Sequence, residues 1–377
     1  MDVAQLLSHW RLFIFIGLCL VAAVQIFYYL YLFLKLARYQ PISKTASVTH
    51  PVSVIVCARD EANNLEQNLP DLLMQDFPYS HEVIVVNDNS RDDTKYFLEE
   101  MEKAFRQLKT VTLTQEALHI PGKKFPLSMG IKASKYEVVL LTDADCVPAS
   151  NKWLSIMQDA YSTGTEIVLG YGAYTKSAGL LNKLVRYETF NTALQYFSYA
   201  LAGMPYMGVG RNLSYRKALF FQNKGFSSIN HIPGGDDDLF INKIANKSNT
   251  AIELNPEAFT FSKAPENFAQ WWKQKSRHYT TAKYYRPKFK RWLGVYSLTH
   301  FLFYPLVVAS ALLFDWRLAL GVFGLRLILQ GYIHYKVMNK LNEKDLFSIF
   351  WLLDIWQFFY YLIFSFTLFK KPKANWK

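Results

Sequence analysis

Two apolar runs that end in acidic residues constrain the fold of this chain most strongly. Residues 82–86 lead into Asn87 and Asp88, and residues 138–141 lead into Thr142, Asp143, Ala144 and Asp145. Unbroken runs of aliphatic and β-branched residues are typical of strands buried on both faces of a parallel sheet. Ligands of open α/β sheets bind beyond the carboxyl ends of such strands. The pattern therefore predicts carboxylates at a ligand-binding edge in two places.

The middle of the chain alternates between strand and helix patterns. Strands are predicted at residues 52–57, 83–86, 111–114, 138–141 and 166–174, and helices at residues 63–75, 94–108, 126–134 and 151–162. Strands that alternate with helices indicate an α/β fold, with a mostly parallel sheet and helices on both of its faces.

The N-terminal end of the chain contains an apolar segment that could cross a membrane. Residues 12–34 carry no formal charge, and about 20 helical residues span the hydrocarbon core. A cleaved signal peptide is less favoured, because the segment is too long and no small-residue cleavage site follows it. Lys35, Arg38 and Lys44 come next, which places this end of the segment in the cytoplasm.

Three further apolar segments occupy the C-terminal end, at residues 295–314, 316–335 and 346–369. The second contains Arg326 and the third Asp354. Because ionisable groups in membranes usually face protein or water, these two residues indicate either a pathway or a buried pair.

The lysines at the extreme C-terminus conflict with a simple topology. Four spans would place them outside, against the positive-inside tendency. They are Lys370, Lys371, Lys373 and Lys377. An interfacial or re-entrant segment would remove the conflict, so the sequence leaves three or four spans and the side of the C-terminus open.

The net charge of +12 is concentrated next to an apolar segment. Residues 271–291 hold eight basic and six aromatic side chains and no acidic one. This composition predicts a segment at the membrane surface that contacts lipid headgroups; a nucleic-acid partner is not expected. Trp271 and Trp272 are expected at the interface, and stacking on a sugar is the alternative. The three cysteines fit no metal site or disulfide framework, which indicates a reducing compartment.

Five segments of the chain carry a family resemblance. Residues 52–62, 85–90 and 143–145 resemble, in order and spacing, the opening motifs of family 2 glycosyltransferases. Gly-Asp-Asp-Asp-Leu at residues 235–239 resembles the Glu-Asp-x-Asp-Leu element of the family. Gln-Lys-Ser-Arg-His at residues 274–278 resembles the Gln-x-x-Arg-Trp element of its membrane-bound members.

The resemblance implies a GT-A fold, a nucleotide-sugar donor and a divalent cation. Glu61 is expected near the uracil or ribose and Asp88 at the nucleotide, while Lys123 is expected to reach the donor phosphates. Asp143 and Asp145 are expected to hold the ribose and the metal. Mg²⁺ and Mn²⁺ favour carboxylate oxygens. An isolated Asp-x-Asp is usually a solvated turn or a cap, but the strand before this one favours a metal ligand.

Such a transferase also needs a base that accepts the proton of the acceptor hydroxyl. Asp236 matches the catalytic residue of the family, and Asp237 is the second candidate. A simpler reading is that residues 236–238 cap a helix that begins near Leu239. Gly235 stands where the family usually has Glu, so one carboxylate is missing on the acceptor side.

Gln274 and Arg277 are three residues apart and share a face if they lie on a helix. In relatives this element lies over the donor diphosphate, which Arg277 could bind through two hydrogen bonds; a lipid-facing role for Arg277 is the alternative. His278 replaces the usual Trp, which disfavours a processive synthase. Residues 206–216 resemble the acceptor-side loop, where Asn212 and Arg211 are polar candidates.

These observations predict a multi-pass enzyme of the inner (plasma) membrane with a cytoplasmic active site. We expect an inverting, metal-dependent glycosyltransferase of hexosyltransferase type, which moves a sugar from a UDP-sugar to a lipid-linked or membrane-presented acceptor in cell-envelope glycan synthesis. The expected domains are an N-terminal anchor (1–47), a GT-A domain (48–265), an interface segment (266–294) and a C-terminal membrane region (295–377). The alternatives are a processive polysaccharide synthase and a non-catalytic nucleotide-binding transport or scaffold protein.

Overall fold

The computed structural model describes residues 9–41, 50–115 and 120–366, apart from the side chain of Ser365. The chain divides into two compact units, and each is described by itself. Among the described residues, the helical unit holds residues 9–39 and 286–366, and the α/β unit holds those between 40 and 285. Lys44 and the four C-terminal lysines lie outside the described residues.

The α/β unit is built on a seven-stranded sheet in the order β3-β2-β1-β4-β8-β6-β9. Its strands are β1 (Val52–Ala58), β2 (His81–Asp88), β3 (Leu108–Leu113), β4 (Val138–Asp143), β6 (Ile167–Leu169), β8 (Leu213–Arg216) and β9 (Thr250–Ile252). Strand β8 is antiparallel to both of its neighbours, and the other pairings are parallel. A second sheet has the order β5-β10-β7 and contains β5 (Cys146–Pro148), β7 (Gly172–Tyr174) and β10 (Thr260–Ser262). The predicted mixed α/β class with a mostly parallel sheet is confirmed.

The described part of the α/β unit also contains eight α-helices and two short 3₁₀ helices. The α-helices are α2 (Ala62–Leu73), α3 (Thr94–Ala104), α4 (Lys124–Ala133), α5 (Trp153–Asp159), α6 (Leu180–Leu201), α7 (Lys217–Gln222), α8 (Asp238–Ile244) and α9 (Phe268–Ala282), and the 3₁₀ helices are Ser227–Ile229 and Pro256–Ala258. All seven residues of β1 are buried. The core cluster around β1 joins both ends of the central sheet to α2 and α5, so the strands that carry the acidic residues have a rigid support.

The predicted strand at residues 166–174 is wrong in extent, because it is two strands in different sheets. Gly170 separates β6 from β7, and its N–H donates to the Asn212 carbonyl at 3.0 Å. A Cβ at this position would lie 2.5 Å from the Asn212 side chain. The chain can therefore pass this close to Asn212 only with a glycine, and it changes sheet there.

The helical unit consists of four helices that are long and apolar enough to cross a membrane. They are α1 (Trp10–Arg38), α10 (Pro287–Leu313), α11 (Trp316–Lys340) and a fourth at Lys344–Phe364, whose α-helical part is α12 (Phe350–Ser365). The Phe15 ring stacks on Phe314 with centroids 5.0 Å apart, and Tyr28 packs on Trp292 at 5.5 Å. Helices α1 and α10 are therefore antiparallel.

A buried polar cluster joins all four of these helices. Its members are Gln25, His300, Tyr304, Arg326, Gln330 and Asp354. The Arg326 guanidinium donates to Asp354 at 2.7 Å, to Gln330 at 3.0 Å and to Gln25 at 3.2 Å. Of the two readings that the sequence left open for Arg326 and Asp354, the structure shows a buried pair.

Candidate active site

The acidic residues that follow β2 and β4 lie at the same edge of the central sheet. Strand β1 is hydrogen-bonded to both strands, and Cys57 is in register with Val86 on one side and with Asp143 on the other. Burial raises the pKa of the Cys57 thiol to about 12. The Lys123 charge lowers this pKa, and the charges of Asp236 and Asp143 raise it. Cys57 therefore lies beneath a group of charged side chains that come from widely separated parts of the chain.

Asp143 and Lys123 form an ion pair at this edge. Burial alone would raise the pKa of Asp143, but the Lys123 ammonium and its hydrogen bond outweigh burial and hold that pKa below its ordinary value. Arg211 and Arg277 act in the same direction on Asp143. The carboxylate is therefore ionised and surrounded by cations, an arrangement that suits the binding of an anionic ligand together with a metal ion.

Asp143, Asp145 and Cys146 have ligand atoms that all lie within 4.8 Å of one another. Burial raises the pKa of the Cys146 thiol well above its ordinary value, so the thiol stays protonated and is a poor ligand. Although solvent reaches Asp145, desolvation and the neighbouring Asp143 charge raise its pKa. Two carboxylates fit a hard divalent cation, whose positive charge would favour ionisation of both, and the buried thiol does not.

Glu61 lies in the loop that follows β1, and Asp88 is the last residue of β2. The negative charge of Glu61 acts on Asp145, which places the two carboxylates near each other. Asp88 is buried and accepts a hydrogen bond from the Asn89 amide at 3.1 Å, and Arg59 lies 3.9 Å away. The loops are tied by the Glu61 N–H, which donates to the Thr94 hydroxyl at 3.1 Å.

The three consecutive aspartates have different surroundings. Asp237 caps helix α8 by accepting from the Asp238 N–H at 2.7 Å, and it also accepts from the Gly210 N–H at 2.8 Å. Burial, followed by the charges of Asp236 and Asp238, raises the pKa of Asp237 to about 7. Asp238 is buried against α9, where it accepts from the Thr281 and Tyr285 hydroxyls. The capping role that the sequence left open belongs to Asp237.

Helix α9 carries the predicted Gln274 and Arg277. The Gln274 amide donates to the Tyr174 hydroxyl at 2.9 Å, and the Arg277 charge acts on Asp143. Lys275, on another face of the helix, forms a buried ion pair with Glu188 of α6. The structure therefore brings Arg277 to the acidic edge and fixes the helix against the α/β unit.

The prediction that Trp271 lies at a membrane interface is wrong. Its side chain is 0% exposed and packs on the Phe268 ring with centroids 5.7 Å apart. Since Trp271 and Lys275 are four residues apart, they share the face of α9 that is buried in the protein. The basic and aromatic composition of this segment is thus divided between a packed face and an outer one.

Two residues near the site, Arg211 and Lys124, have no strong signal in the sequence. The Arg211 guanidinium lies 4.3 Å from the centre of the Tyr174 ring and donates to the Ser262 hydroxyl at 2.8 Å, and its charge acts on Asp143 and Asp145. Lys124 is buried beside Lys123. Lys123 pairs with Asp143, whereas Lys124 faces the three consecutive aspartates at residues 236–238. No spacing rule separates two adjacent lysines, and only the fold shows their different contacts.

An α/β fold with carboxylates at the carboxyl edge of its sheet is typical of enzymes that use nucleotide-activated substrates. The model of the Glycosyl transferase family group 2 matches residues 138–369, and that of Glycosyl transferase family 2 matches residues 53–217. The chain belongs to the family 2 glycosyltransferases and is a glycosyltransferase enzyme. This membership favours catalysis over the non-catalytic alternative.

Relatives of known or assigned activity are distant. The chain is 25% identical over 338 residues to the probable glycosyltransferase YdaM of Bacillus subtilis, covering 79% of this chain and 77% of that protein. It is 24% identical over 230 residues to the poly-beta-1,6-N-acetyl-D-glucosamine synthase of Staphylococcus epidermidis, covering 60% of this chain and 53% of the synthase. A shorter match, 28% over 107 residues, is to the beta-monoglucosyldiacylglycerol synthase of a Nostoc species, covering 28% of this chain and 22% of that enzyme.

The fold is similar to that of a mannosyltransferase, PcManGT, from Pyrobaculum calidifontis, solved with GDP-Man and Mn²⁺. The TM-score is 0.57 at 18% identity, over 91% of this chain and 98% of the other. The predicted GT-A fold is confirmed by this similarity.

Proposed function

We propose that this chain is an integral-membrane, metal-dependent inverting glycosyltransferase. It transfers a sugar from a nucleotide-sugar, a UDP-sugar in our proposal, to a lipid-linked or membrane-presented acceptor in cell-envelope glycan synthesis. One observation carries the proposal: Asp143 and Asp145 lie beside Lys123 at a sheet edge that Asp236 also faces, in a chain with four candidate membrane spans.

The donor occupies the acidic edge. Asp143 and Asp145 hold Mg²⁺ or Mn²⁺, which when bound neutralises the charge that develops on the departing nucleoside diphosphate. Lys123 and Arg277 bind the diphosphate, and Gln274, on the same helix as Arg277, belongs to the donor-binding element. Glu61 and Asp88 contact the nucleoside. This assignment is supported by the charges of Lys123 and Arg277, which both act on Asp143.

Asp236 is the base. As the acceptor hydroxyl attacks the anomeric carbon, its proton passes to the Asp236 carboxylate, and the bond from the sugar to the diphosphate breaks. A single displacement of this kind inverts the anomeric configuration. Asp237 is the less suitable candidate, because its carboxylate already accepts two backbone N–H groups.

The acceptor and the location follow from the membrane character of the chain. Lys35 and Arg38 end helix α1, and Lys288, Lys290 and Arg291 begin α10. Basic residues at these ends favour the cytoplasmic side for the α/β unit. We retain the four proposed domains (1–47, 48–265, 266–294 and 295–377). The Nostoc relative is a beta-monoglucosyldiacylglycerol synthase, which supports a lipid as acceptor.

A donor screen tests this function. Membranes that contain the full chain are incubated with Mn²⁺ and UDP-glucose, UDP-N-acetylglucosamine, GDP-mannose or a dTDP-sugar, and the released nucleoside diphosphate is measured. Asp145→Ala should abolish release while leaving the amount of chain in the membrane unchanged. Asp159→Ala, an exposed carboxylate on α5, is the control and should release normally. Normal turnover by Asp145→Ala with excess Mg²⁺ or Mn²⁺ would refute the metal assignment.

A processive polysaccharide synthase is the second candidate. The similarity to the poly-beta-1,6-N-acetyl-D-glucosamine synthase favours it, whereas His278 in place of the Trp of the family element and the small number of spans favour single addition. Product length separates the two: one or a few added sugars indicate single addition, and a long polymer indicates a synthase.

A further inference from the structure

The residues before Asp236 form a loop that depends on two consecutive glycines. Gly234 and Gly235 have φ values of +86° and +88°, in the left-handed region. A Cβ on Gly235 would lie 2.5 Å from Leu239 Cδ1 and 2.9 Å from its Cγ. The Glu that the family element has at this position would be strained on this backbone, and the loop is held instead by a contact from another part of the chain.

Lys124 provides that contact from the start of α4. Its ammonium donates to the Gly234 carbonyl at 2.8 Å and also bonds the Ile232 carbonyl, and its side chain is 0% exposed. A third, longer contact of 3.4 Å goes to the Pro121 carbonyl of its own loop. All three N–H donors of the ammonium therefore bond backbone carbonyls, one in its own loop and two in the loop before Asp236.

The two loops also touch through their backbones. Gly122 has a φ of +82°, and a Cβ added there would meet the Gly234 nitrogen at 3.5 Å. Lys123, the next residue, pairs with Asp143 on the donor side. Adjacent lysines thus face the two halves of the site, Lys123 the donor carboxylates and Lys124 the loop that leads to Asp236.

Charge explains why a lysine serves this position. Burial lowers the pKa of Lys124, and the negative charges of Asp236, Asp238 and Asp237 oppose this shift. A buried cation next to three consecutive carboxylates offsets part of their mutual repulsion, which a neutral hydrogen-bond donor would not do.

We propose that Lys124 is a positioning residue for the catalytic base: by binding the carbonyls of Ile232 and Gly234, it holds the Gly234–Gly235 loop so that the Asp236 carboxylate faces the reacting sugar. This inference rests on the proposed function of Asp236. Lys124 contacts no group that we assign to the donor, so its role lies in turnover and not in donor binding.

The test is a double-mutant cycle between Lys124 and Asp236, in membranes containing the full chain and the best donor of the screen. Lys124→Met should lower kcat about 100-fold and change the donor KM less than about threefold. Lys124→Arg keeps the charge but not the shape of an ammonium, and it should lower kcat only about tenfold. On the Asp236→Asn background, either change should alter the residual rate by less than about twofold.

Lys132→Met is the matched control, because Lys132 is an exposed lysine of the same helix, and it should have the kcat and KM of the unaltered chain. If the Lys124→Met variant does not accumulate in the membrane, the kcat and KM of Lys124→Arg on the two Asp236 backgrounds test the proposal. Equal losses on both Asp236 backgrounds, or a donor KM that rises as much as kcat falls, would refute the positioning role and leave Asp236 as the base. An Asp236→Asn variant with full turnover would instead refute the base assignment and, with it, the proposed function.

Discussion

The Tyr285 hydroxyl donates a hydrogen bond to the Asp238 carboxylate at 2.8 Å. Asp238 lies two residues after Asp236, and Tyr285 follows the end of helix α9, which carries Gln274 and Arg277. The Thr281 hydroxyl, one turn earlier, bonds the same carboxylate oxygen. The segment of Asp236, the proposed base, and the end of helix α9 are thus held together by one buried acidic side chain.

Tyr285→Phe should destabilise the α/β unit, because a buried carboxylate loses a donor. Such a loss costs about 1.5–3 kcal/mol and lowers the unfolding midpoint by about 5 °C. Thermal unfolding in detergent, followed by intrinsic fluorescence, measures the change. Tyr284→Phe removes a hydroxyl from the neighbouring exposed ring and should leave the midpoint unchanged. Equal midpoints for both variants would show that the bond to Asp238 has no stabilising role.

Gly235→Glu restores the residue that the family usually has, and we expect it to impair the protein. A side chain at φ +88° is strained, and its Cβ would overlap Leu239; together these effects should cost about 2–4 kcal/mol. The loss of turnover and the fall in unfolding midpoint should appear together. Gly179→Ala tests the backbone effect alone, because Gly179 has a φ of +104° with nothing within 4 Å of an added Cβ. A fully active Gly235→Glu variant would mean that the loop adopts another conformation.

Asp237 should make the stability of the protein fall with rising pH. Burial and the two neighbouring aspartates raise its pKa to about 7 in the folded state, against about 3.9 in an unfolded chain. Between these values the folded state binds more protons, so the stability contributed by protonated Asp237 is lost as the pH rises from about 4 through 7. Asp237→Asn keeps one acceptor oxygen and removes this titration.

The measurement is the unfolding midpoint of Asp237→Asn relative to the unaltered chain at pH 5 and at pH 8. The relative midpoint should be higher at pH 8. Asp71→Asn, a change at an exposed carboxylate, should show the same relative midpoint at both pH values. A difference between the Asp237 variant and the unaltered chain that does not change with pH would contradict the prediction.

Arg326→Leu should be strongly destabilising, since it leaves Asp354 buried among four apolar helices without its cationic partner. Removal of one partner of a buried ion pair costs about 3–5 kcal/mol. The double change Arg326→Leu with Asp354→Leu should recover part of this loss, because it removes both charges. Size-exclusion chromatography of heated, detergent-solubilised protein measures the surviving fraction. Arg317→Leu, at the exposed start of the same helix, is the control and should survive heating like the unaltered chain. Equal survival of Arg326→Leu would show that the buried pair does not stabilise the protein.

The central strands could be predicted from the sequence because burial on both faces gives them a continuous apolar pattern. Helix α3 ends at Ala104 and not at residue 108, because Phe105 adopts an extended conformation that leads into β3. The sequence pattern does not predict helix α6. Thirteen of its 22 residues are buried, so it has no polar face that would give a helical period.

The site was predictable to the extent that motifs specify it. Asp143, Asp145 and Asp236 follow recognisable patterns, and the fold brings Asp143 and Asp236 close to Cys57 and Asp145 close to Asp143. The role of Asp238 as a link to α9 and the contacts of Lys124 could not be predicted. Both depend on residues more than 40 positions away in the chain, Thr281 in one case and Ile232 in the other.

The bonds of Gln25 have a consequence for biosynthesis. Its amide reaches Thr299 at 3.0 Å and its carbonyl accepts from Arg326 at 3.2 Å, yet Gln40–Tyr285 must be translated between α1 and these partners. At about 5–20 residues per second, roughly 250 residues occupy a ribosome for tens of seconds. During that interval the Gln25 side chain lacks the two partners that satisfy its amide in the folded helical unit, so the bonds that join the first helix to the later ones form only after the rest of the chain has been made.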